Sequence, residues 1–237
     1  MRLAALLPAF LAPVAVLIAF VAGSRLLLPV LATLAVYPLM VLLVARGRQG
    51  TAAVAVLLWA ASLSAAVVAL SARDPVRAGD LVIHGPAYRD EMFAFIRSGQ
   101  GREGDPARFL PQHALHLGVF AALTALSGGL LGIALGALLV GYMSYYVGAL
   151  AAAGGAPWIA FLLGWPPYAM FRVAAYVLLG VALSRPVVSR LGRRWVPFER
   201  RRTFYLLAGA LLLADVVLKA ALAPAWASLL RPCLGAP

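Results

Sequence analysis

Residues 113–152 form a run of 40 residues without a single Asp, Glu, Lys or Arg. As one helix this run would be about 60 Å long, twice the roughly 30 Å thickness of the hydrocarbon layer of a bilayer. A hairpin of two helices fits better, and Ser127, Gly128 and Gly129 predict its turn. The hairpin either spans the membrane twice or is re-entrant, and in both cases the chain returns to the side on which it began.

Comparable apolar runs recur along the 237 residues, of which 64% are hydrophobic and only 12% charged. Water-soluble domains do not have this composition, whereas runs of 18 or more apolar residues are typical of membrane spans. We therefore expect an all-α fold, a polytopic transmembrane helical bundle of about seven spans, or six if residues 113–152 are re-entrant. The predicted spans are 3–22, 26–45, 51–71, the two arms of 113–152, 157–184 and 203–222.

The chain divides into three parts on this pattern. Residues 1–71 are predicted to form three N-terminal transmembrane helices. Residues 72–112 contain six Arg and six acidic residues and are predicted to be an extracytoplasmic loop. Residues 113–237 are predicted to form a four-span C-terminal bundle.

The basic residues predict the orientation of the bundle. The net charge is +12, and ten Arg lie at the N-terminus, in 45–50 and in 184–202, which seven crossings place on one side. The positive-inside rule then puts the N-terminus in the cytoplasm and the C-terminus outside. This clustering also excludes nucleic acid as the partner that explains the charge. Nineteen of the 20 basic residues are Arg, which together with abundant Ala and Gly is typical of a GC-rich bacterial genome, so we expect a multi-pass protein of the bacterial inner membrane.

Within the loop, the segment PAYRDEMFAFIRSG places Tyr88, Met92, Phe95 and Ile96 on one face of a helix. We expect a short amphipathic helix that lies in the membrane interface. The loop as a whole is the part of the chain expected to contact an extracytoplasmic or membrane protein partner.

The segment GWPPY (164–168) interrupts the sixth predicted span. Two successive prolines remove two backbone donors, so the helix is predicted to break there and to leave 168–184 as its deep portion. Trp158, Trp165 and Tyr168 predict an aromatic belt at the membrane surface.

Three charged residues fall inside the last two predicted spans: Arg172, Asp215 and Lys219. Arg172 lies twelve residues from the cytoplasmic end of its span and Asp215 lies twelve residues from the cytoplasmic start of the next. Both side chains are therefore about 18 Å above the inner boundary, which predicts an Arg172–Asp215 pair between antiparallel helices. Lys219 either joins the pair or extends toward the surface. The cluster is interpreted as structural or, alternatively, as part of a proton or ion path.

His113 and His116 lie one helical turn apart, with Glu103 and Asp105 close upstream. Two histidines and a carboxylate are ligands that a metal ion accepts, although polar side chains at the membrane surface explain the same pattern. Ser144 and His116 lie at different depths and Gly-x-Ser-x-Gly is absent, which argues against a serine hydrolase. Neither a phosphate loop nor a dinucleotide fingerprint is present, so no cofactor is expected.

The basic segment 184–202 suits anionic lipid headgroups as well as topology. The Arg residues predicted to contact headgroups are Arg190, Arg193, Arg194, Arg200, Arg201 and Arg202.

Four segments between residues 113 and 224 occur in the order FLPQHALHLGVFAAL, MSYYVGAL, AMFRVAAYVLLGVAL and LKAALAP. Their succession of a His-led helix, a small-residue hairpin, a helix after a proline-rich start and a final charged helix resembles the stage II sporulation protein M family. This resemblance implies a multi-pass, non-enzymatic membrane component that acts with partners in envelope remodelling.

Three functions remain open at this stage. The first is a non-catalytic integral membrane scaffold or assembly subunit of the bacterial envelope. The second is a transport component that uses Arg172, Asp215 and Lys219. The third is a membrane enzyme with a His and carboxylate site at the outer face.

Overall fold

The protein is helical throughout the residues described by the structure, a computed structural model that covers residues 3–192 and 200–235. Short 3-10 turns precede α1, lie between α5 and α6, and follow α10. The helices are α1 (Leu7–Ala22), α2 (Leu27–Ala45), α3 (Gln49–Arg73), α4 (Pro75–Leu81), α5 (Gly85–Ser98), α6 (Pro106–Ser127), α7 (Leu130–Ala152), α8 (Pro157–Leu163), α9 (Pro167–Leu191) and α10 (Arg201–Leu230).

Six apolar segments within the described ranges are long enough to cross a membrane, which supports a multi-pass helical bundle. They consist of α2, α3, α6, α7, α8 with α9, and α10 with the turn after it. Helix α1 is apolar but has only 16 residues, and a 3-10 turn over Leu3–Leu6 precedes it.

The predicted hairpin is present as α6 and α7. Its turn is Gly128 and Gly129, whose φ angles of 64° and 97° lie in the left-handed region that glycine adopts without steric cost. The arms have 22 and 23 residues, and at 1.5 Å per residue each is about 33 Å long, enough for the hydrocarbon layer. By length and composition, each arm is sufficient for a full span.

Helix α7 lies at the centre of the bundle and packs closely on α3. At Gly148 an added Cβ would lie 2.5 Å from the Ser71 Cβ and from the Val68 carbonyl oxygen, so only glycine permits this approach. Small residues at such crossings are typical of membrane helices. On the other side of α3, the Trp59 indole donates a hydrogen bond of 2.9 Å to the Ala32 carbonyl of α2.

We call the end of the bundle that carries residues 74–105 the loop end. There α5 is a helix, as the sequence predicts, but its apolar face packs on protein instead of facing lipid. Met92, Phe95 and Ile96 are at most 1% exposed and belong to a core shared with Leu150 of α7 and Trp226 of α10. The amphipathic pattern therefore marks a helix that attaches the loop to the bundle.

The chain breaks at GWPPY as predicted, since α8 ends at Leu163 and α9 begins at Pro167. The Trp226 indole donates to the Leu163 carbonyl over 2.8 Å, which satisfies a backbone acceptor at the end of α8. Tyr168 does not belong to an aromatic belt, because it is only 1% exposed and lies in the interior; Trp158, in contrast, is 65% exposed.

Two predicted helix ends are wrong. Helix α9 continues past residue 184 to Leu191 through Pro186, and α10 continues past residue 222 to Leu230 through Pro224. A proline removes one backbone hydrogen bond, and membrane helices tolerate that loss where neighbouring groups compensate. Helix α10 is consequently about 45 Å long, more than the hydrocarbon layer requires.

Candidate functional site: a buried charge network at the loop end

The predicted pair between Arg172 and Asp215 is present. The Arg172 Nε and a terminal nitrogen donate to the two oxygens of Asp215 over 2.8 and 2.9 Å. Helices α9 and α10 pack side by side and bring the two residues level. The Asp215 side chain is 1% exposed and that of Arg172 is 21% exposed. The bidentate, charge-assisted contact between them is therefore largely shielded from solvent.

His113 of α6 reaches the same carboxylate. Its Nε2 lies 3.6 Å from Asp215 Oδ2, a distance at which the contact is electrostatic and not a hydrogen bond. Neither ring nitrogen has a hydrogen-bond partner among the described residues, and the ring packs against Phe109 with centroids 5.3 Å apart. Asp215 therefore joins three helices, α6, α9 and α10.

Lys219 neither joins the Arg172–Asp215 contact nor extends to the surface. Its Nζ donates to Glu103 over 2.7 Å, and the Lys219 side chain is 1% exposed. The ammonium also lies 4.8 Å from the centre of the Phe109 ring and 5.9 Å from that of Tyr168. Aromatic faces at these distances stabilise a cation that has lost its water.

Glu103 reaches the bundle because a glycine-rich turn folds back over it. It lies in the 3-10 turn Arg102–Gly104 between α5 and α6, which packs on α10. Gly99 adopts a φ of 69° and ends α5. On the other side, the Asp105 side chain accepts a hydrogen bond of 3.0 Å from the Ala107 amide and begins α6. We call Glu103, His113, Arg172, Asp215 and Lys219 the charge network.

The charge network is formally balanced, with two cations and two carboxylates around one histidine. Each cation has a carboxylate at hydrogen-bond distance, and the two carboxylates come from different parts of the chain. Removing one member would leave an uncompensated buried charge, which costs more than the intact pair contributes. The ion pairs of the charge network therefore attach the loop to α6, α9 and α10.

The four residues considered as metal ligands do not converge. Glu103 binds Lys219, His113 approaches Asp215, and Asp105 caps α6 and contacts Arg108 over 3.2 Å. His116 lines a cavity on the next turn of α6. Among the described ranges no group of three or more His, Cys, Asp or Glu is arranged to hold a metal ion. Ser144, considered as a nucleophile, instead makes a 2.9 Å hydrogen bond with Ser64 of α3.

Four of the Arg residues considered for lipid headgroups lie at the end opposite the loop end. Arg190, Arg200, Arg201 and Arg202 are exposed there, as contact with headgroups requires. Arg193 and Arg194 lie outside the described residues.

Two cavities adjoin the charge network and share His116, Leu139 and Tyr142 as lining residues. The inner cavity, of about 90 Å³, lies among α2, α3, α6, α7 and α9, and it reaches Arg172. The outer cavity, of about 490 Å³, lies at the loop end and includes Glu103. Among the outer residues, burial raises the pKa of Tyr88 well above its ordinary value, and the nearby carboxylate of Glu103 raises it further, so its hydroxyl stays neutral.

Comparison of the chain with protein-family models, curated proteins and solved structures finds no match. The resemblance to the stage II sporulation protein M family stays a prediction.

Sequence reasoning missed one half of the charge network. Equal depth in adjacent antiparallel spans was enough to pair Arg172 with Asp215. Glu103, in contrast, was considered only as a metal ligand beside His113 and His116. The available signal was the buried Lys219, which required a carboxylate from outside the spans.

Proposed function

We propose that this protein is a non-catalytic membrane scaffold or assembly subunit of the bacterial envelope, which presents residues 74–105 to a protein partner. We call these residues the platform. The observation that supports the proposal is the pairing of Lys219 with Glu103 beside that of Arg172 with Asp215. Both cations are neutralised within the chain, so the network holds the platform in place and leaves little charge for a substrate.

The proposal includes a topology of seven crossings, with α1 as the first span. The N-terminus is then cytoplasmic, and the platform and the C-terminus lie outside the inner membrane. Its support is the concentration of Arg at the end opposite the platform.

A groove of about 500 Å³ between the platform and the end of α7 is the surface we assign to the partner. It is lined from α5 by Arg89, Asp90, Phe93 and Arg97, and on the other side by Ala149 and Ala152 of α7 and by Ala153, which follows α7. The groove combines the aromatic ring of Phe93 with Arg89 and Arg97. Aromatic residues and Arg are enriched in protein interfaces. Arg89 also donates to the Tyr145 hydroxyl over 3.2 Å, so the groove wall is fixed to the bundle.

A photo-crosslinking residue at position 97 in native membranes tests the proposal. Arg97 is exposed in the groove, and Arg201, exposed at the opposite end, is the matched control position. We expect a discrete crosslinked protein from position 97 that is absent at position 201. Arg97→Glu is expected to lower co-purification of that protein about tenfold, the effect of about 1.4 kcal/mol. Arg201→Glu should leave it unchanged. Absence of a platform-specific crosslink would contradict the scaffold proposal.

A second candidate function, transport, is favoured by one observation, the inner cavity that reaches Arg172. Asp215→Asn separates the two functions. For a scaffold, the variant changes stability and partner retention, while ion or proton flux in vesicles stays at background. For a transporter, the wild type carries flux and the variant alters its dependence on the ion.

A further inference from the structure

We propose that the two adjoining cavities bind one zwitterionic phospholipid, with its head in the outer cavity and the first part of one acyl chain in the inner cavity. This inference goes beyond the scaffold function and rests on the two cavities, whereas the partner was assigned to the groove lined by Arg89 and Arg97. It starts from the shared wall of His116, Leu139 and Tyr142, which places an apolar space and a polar space side by side.

The inner cavity has the character of a site for a hydrocarbon chain. Met40, Trp59, Phe120, Ile133 and Val177 line it from five different helices. Its volume of about 90 Å³ is several times the roughly 10–15 Å³ that one water-sized group needs. Arg172 lies on one side of this cavity, but most of its wall is apolar and suits an apolar ligand.

The outer cavity has the size and polarity of a headgroup site. Its volume of about 490 Å³ is within the range of small-molecule pockets, roughly 300–1,000 Å³. Glu91 and Arg102 line it and contact each other only loosely, at 3.8 Å, with side chains 37% and 61% exposed. A contact this exposed contributes little to stability, so the two groups are available to a ligand.

The charges of this cavity select a zwitterion. Glu103 is already neutralised by Lys219, which leaves one cation, Arg102, and one anion, Glu91, on the wall. A phosphate suits Arg102, and the ammonium beyond it suits Glu91. Tyr88 and Tyr142, whose ring centroids are 4.7 Å apart, also line the cavity and offer aromatic faces to the ammonium.

Two glycines of the hairpin provide a matched pair of variants. Gly136 of α7 lines the inner cavity, and a Cβ added there meets no atom within 4 Å, so Gly136→Leu fills the cavity without a clash at its first carbon. Gly118 of α6 has the same free space but is exposed on the outside of the bundle. Gly118→Leu therefore repeats the change in helix propensity without filling the cavity.

The experiment counts phospholipids retained by the detergent-purified protein in native mass spectrometry, after incubation with phosphatidylethanolamine or phosphatidylglycerol. We expect the wild type and Gly118→Leu to retain one phosphatidylethanolamine and to prefer it over phosphatidylglycerol about tenfold, the equivalent of one charge-assisted contact. Gly136→Leu is expected to lose this retained lipid. Equal retention of the two lipids by the wild type, or wild-type retention by Gly136→Leu, would overturn the proposal.

A headgroup variant keeps the test decisive if Gly136→Leu does not fold. Glu91→Gln combined with Arg102→Gln changes only exposed side chains and should leave the melting temperature unaltered. We expect it to abolish the preference for phosphatidylethanolamine over phosphatidylglycerol. An unchanged preference in this variant would overturn the proposal.

Discussion

Lys219 of α10 donates a hydrogen bond of 2.7 Å to Glu103, which lies in the short turn between α5 and α6. The two residues differ in exposure: the Lys219 side chain is 1% exposed and that of Glu103 is 16% exposed. The loop therefore provides the carboxylate that neutralises the buried ammonium group of Lys219 on α10.

This difference predicts unequal effects of the two single substitutions. Glu103→Ala leaves a buried ammonium without a counter-charge and is expected to cost about 3 kcal/mol. Lys219→Met leaves a carboxylate that can turn toward water, so a cost of about 1 kcal/mol is expected, close to that of a partly exposed pair. Thermal unfolding in detergent measures both. The double variant should be more stable than Glu103→Ala alone, and equal costs for the two single variants would refute the assignment.

The contact between Arg172 and Asp215 predicts strong coupling in a double-mutant cycle. Arg172→Met and Asp215→Asn each leave a buried polar group without its partner, whereas the double variant leaves neither charge. We expect a coupling energy of about 2 kcal/mol or more in the free energy of unfolding. Asp215→Asn combined with Arg190→Met, an exposed residue at the opposite end, is the control and should be additive. Additivity in the Arg172 cycle would show that the pair does not stabilise the bundle.

The crossing of α3 and α7 predicts that Gly148 tolerates no side chain. Gly148→Ala places a Cβ 2.5 Å from the Val68 carbonyl and must separate the two helices, at an expected cost of about 2 kcal/mol. Gly209→Ala is the control, because an added Cβ there meets no atom within 4 Å and α10 gains a better helix former. A drop in melting temperature is expected for the first variant only. A similar response of both variants would contradict the close packing.

The proposed topology predicts opposite labelling of two turns. In a Cys233→Ser background, Arg25→Cys and Gly47→Cys each place a single cysteine at one end of α2. The two cysteines are expected to lie on opposite sides of the membrane. A membrane-impermeant maleimide should label the cysteine at position 25 from outside, and the cysteine at position 47 only after lysis. Labelling of both from one side would refute the proposed arrangement of the first three helices.

Much of the fold could be predicted from the types of residue along the sequence, whereas only part of the charge network could. Gly128 and Gly129 located the hairpin turn, and the two prolines at 166 and 167 located the break before α9. The ends predicted at residues 184 and 222 are wrong, and neither Pro186 nor Pro224 ends its helix, because a membrane helix tolerates a single proline. Contacts between sequential antiparallel helices follow from depth alone. The contact of Glu103 with Lys219 depends on the path of a 3-10 turn across the loop end, which no periodicity encodes.

Asp215 and Lys219 both lie on α10, which follows every other helix of the bundle in the chain. The ribosome therefore delivers Glu103, His113 and Arg172 to the membrane before their partners exist. Until α10 is inserted, His113 of α6 and Arg172 of α9 have no carboxylate partner among the described residues of the bundle. Insertion of α10 brings Asp215 to both residues at once. A chain that ends before Asp215 therefore contains Arg172 without the carboxylate that neutralises it.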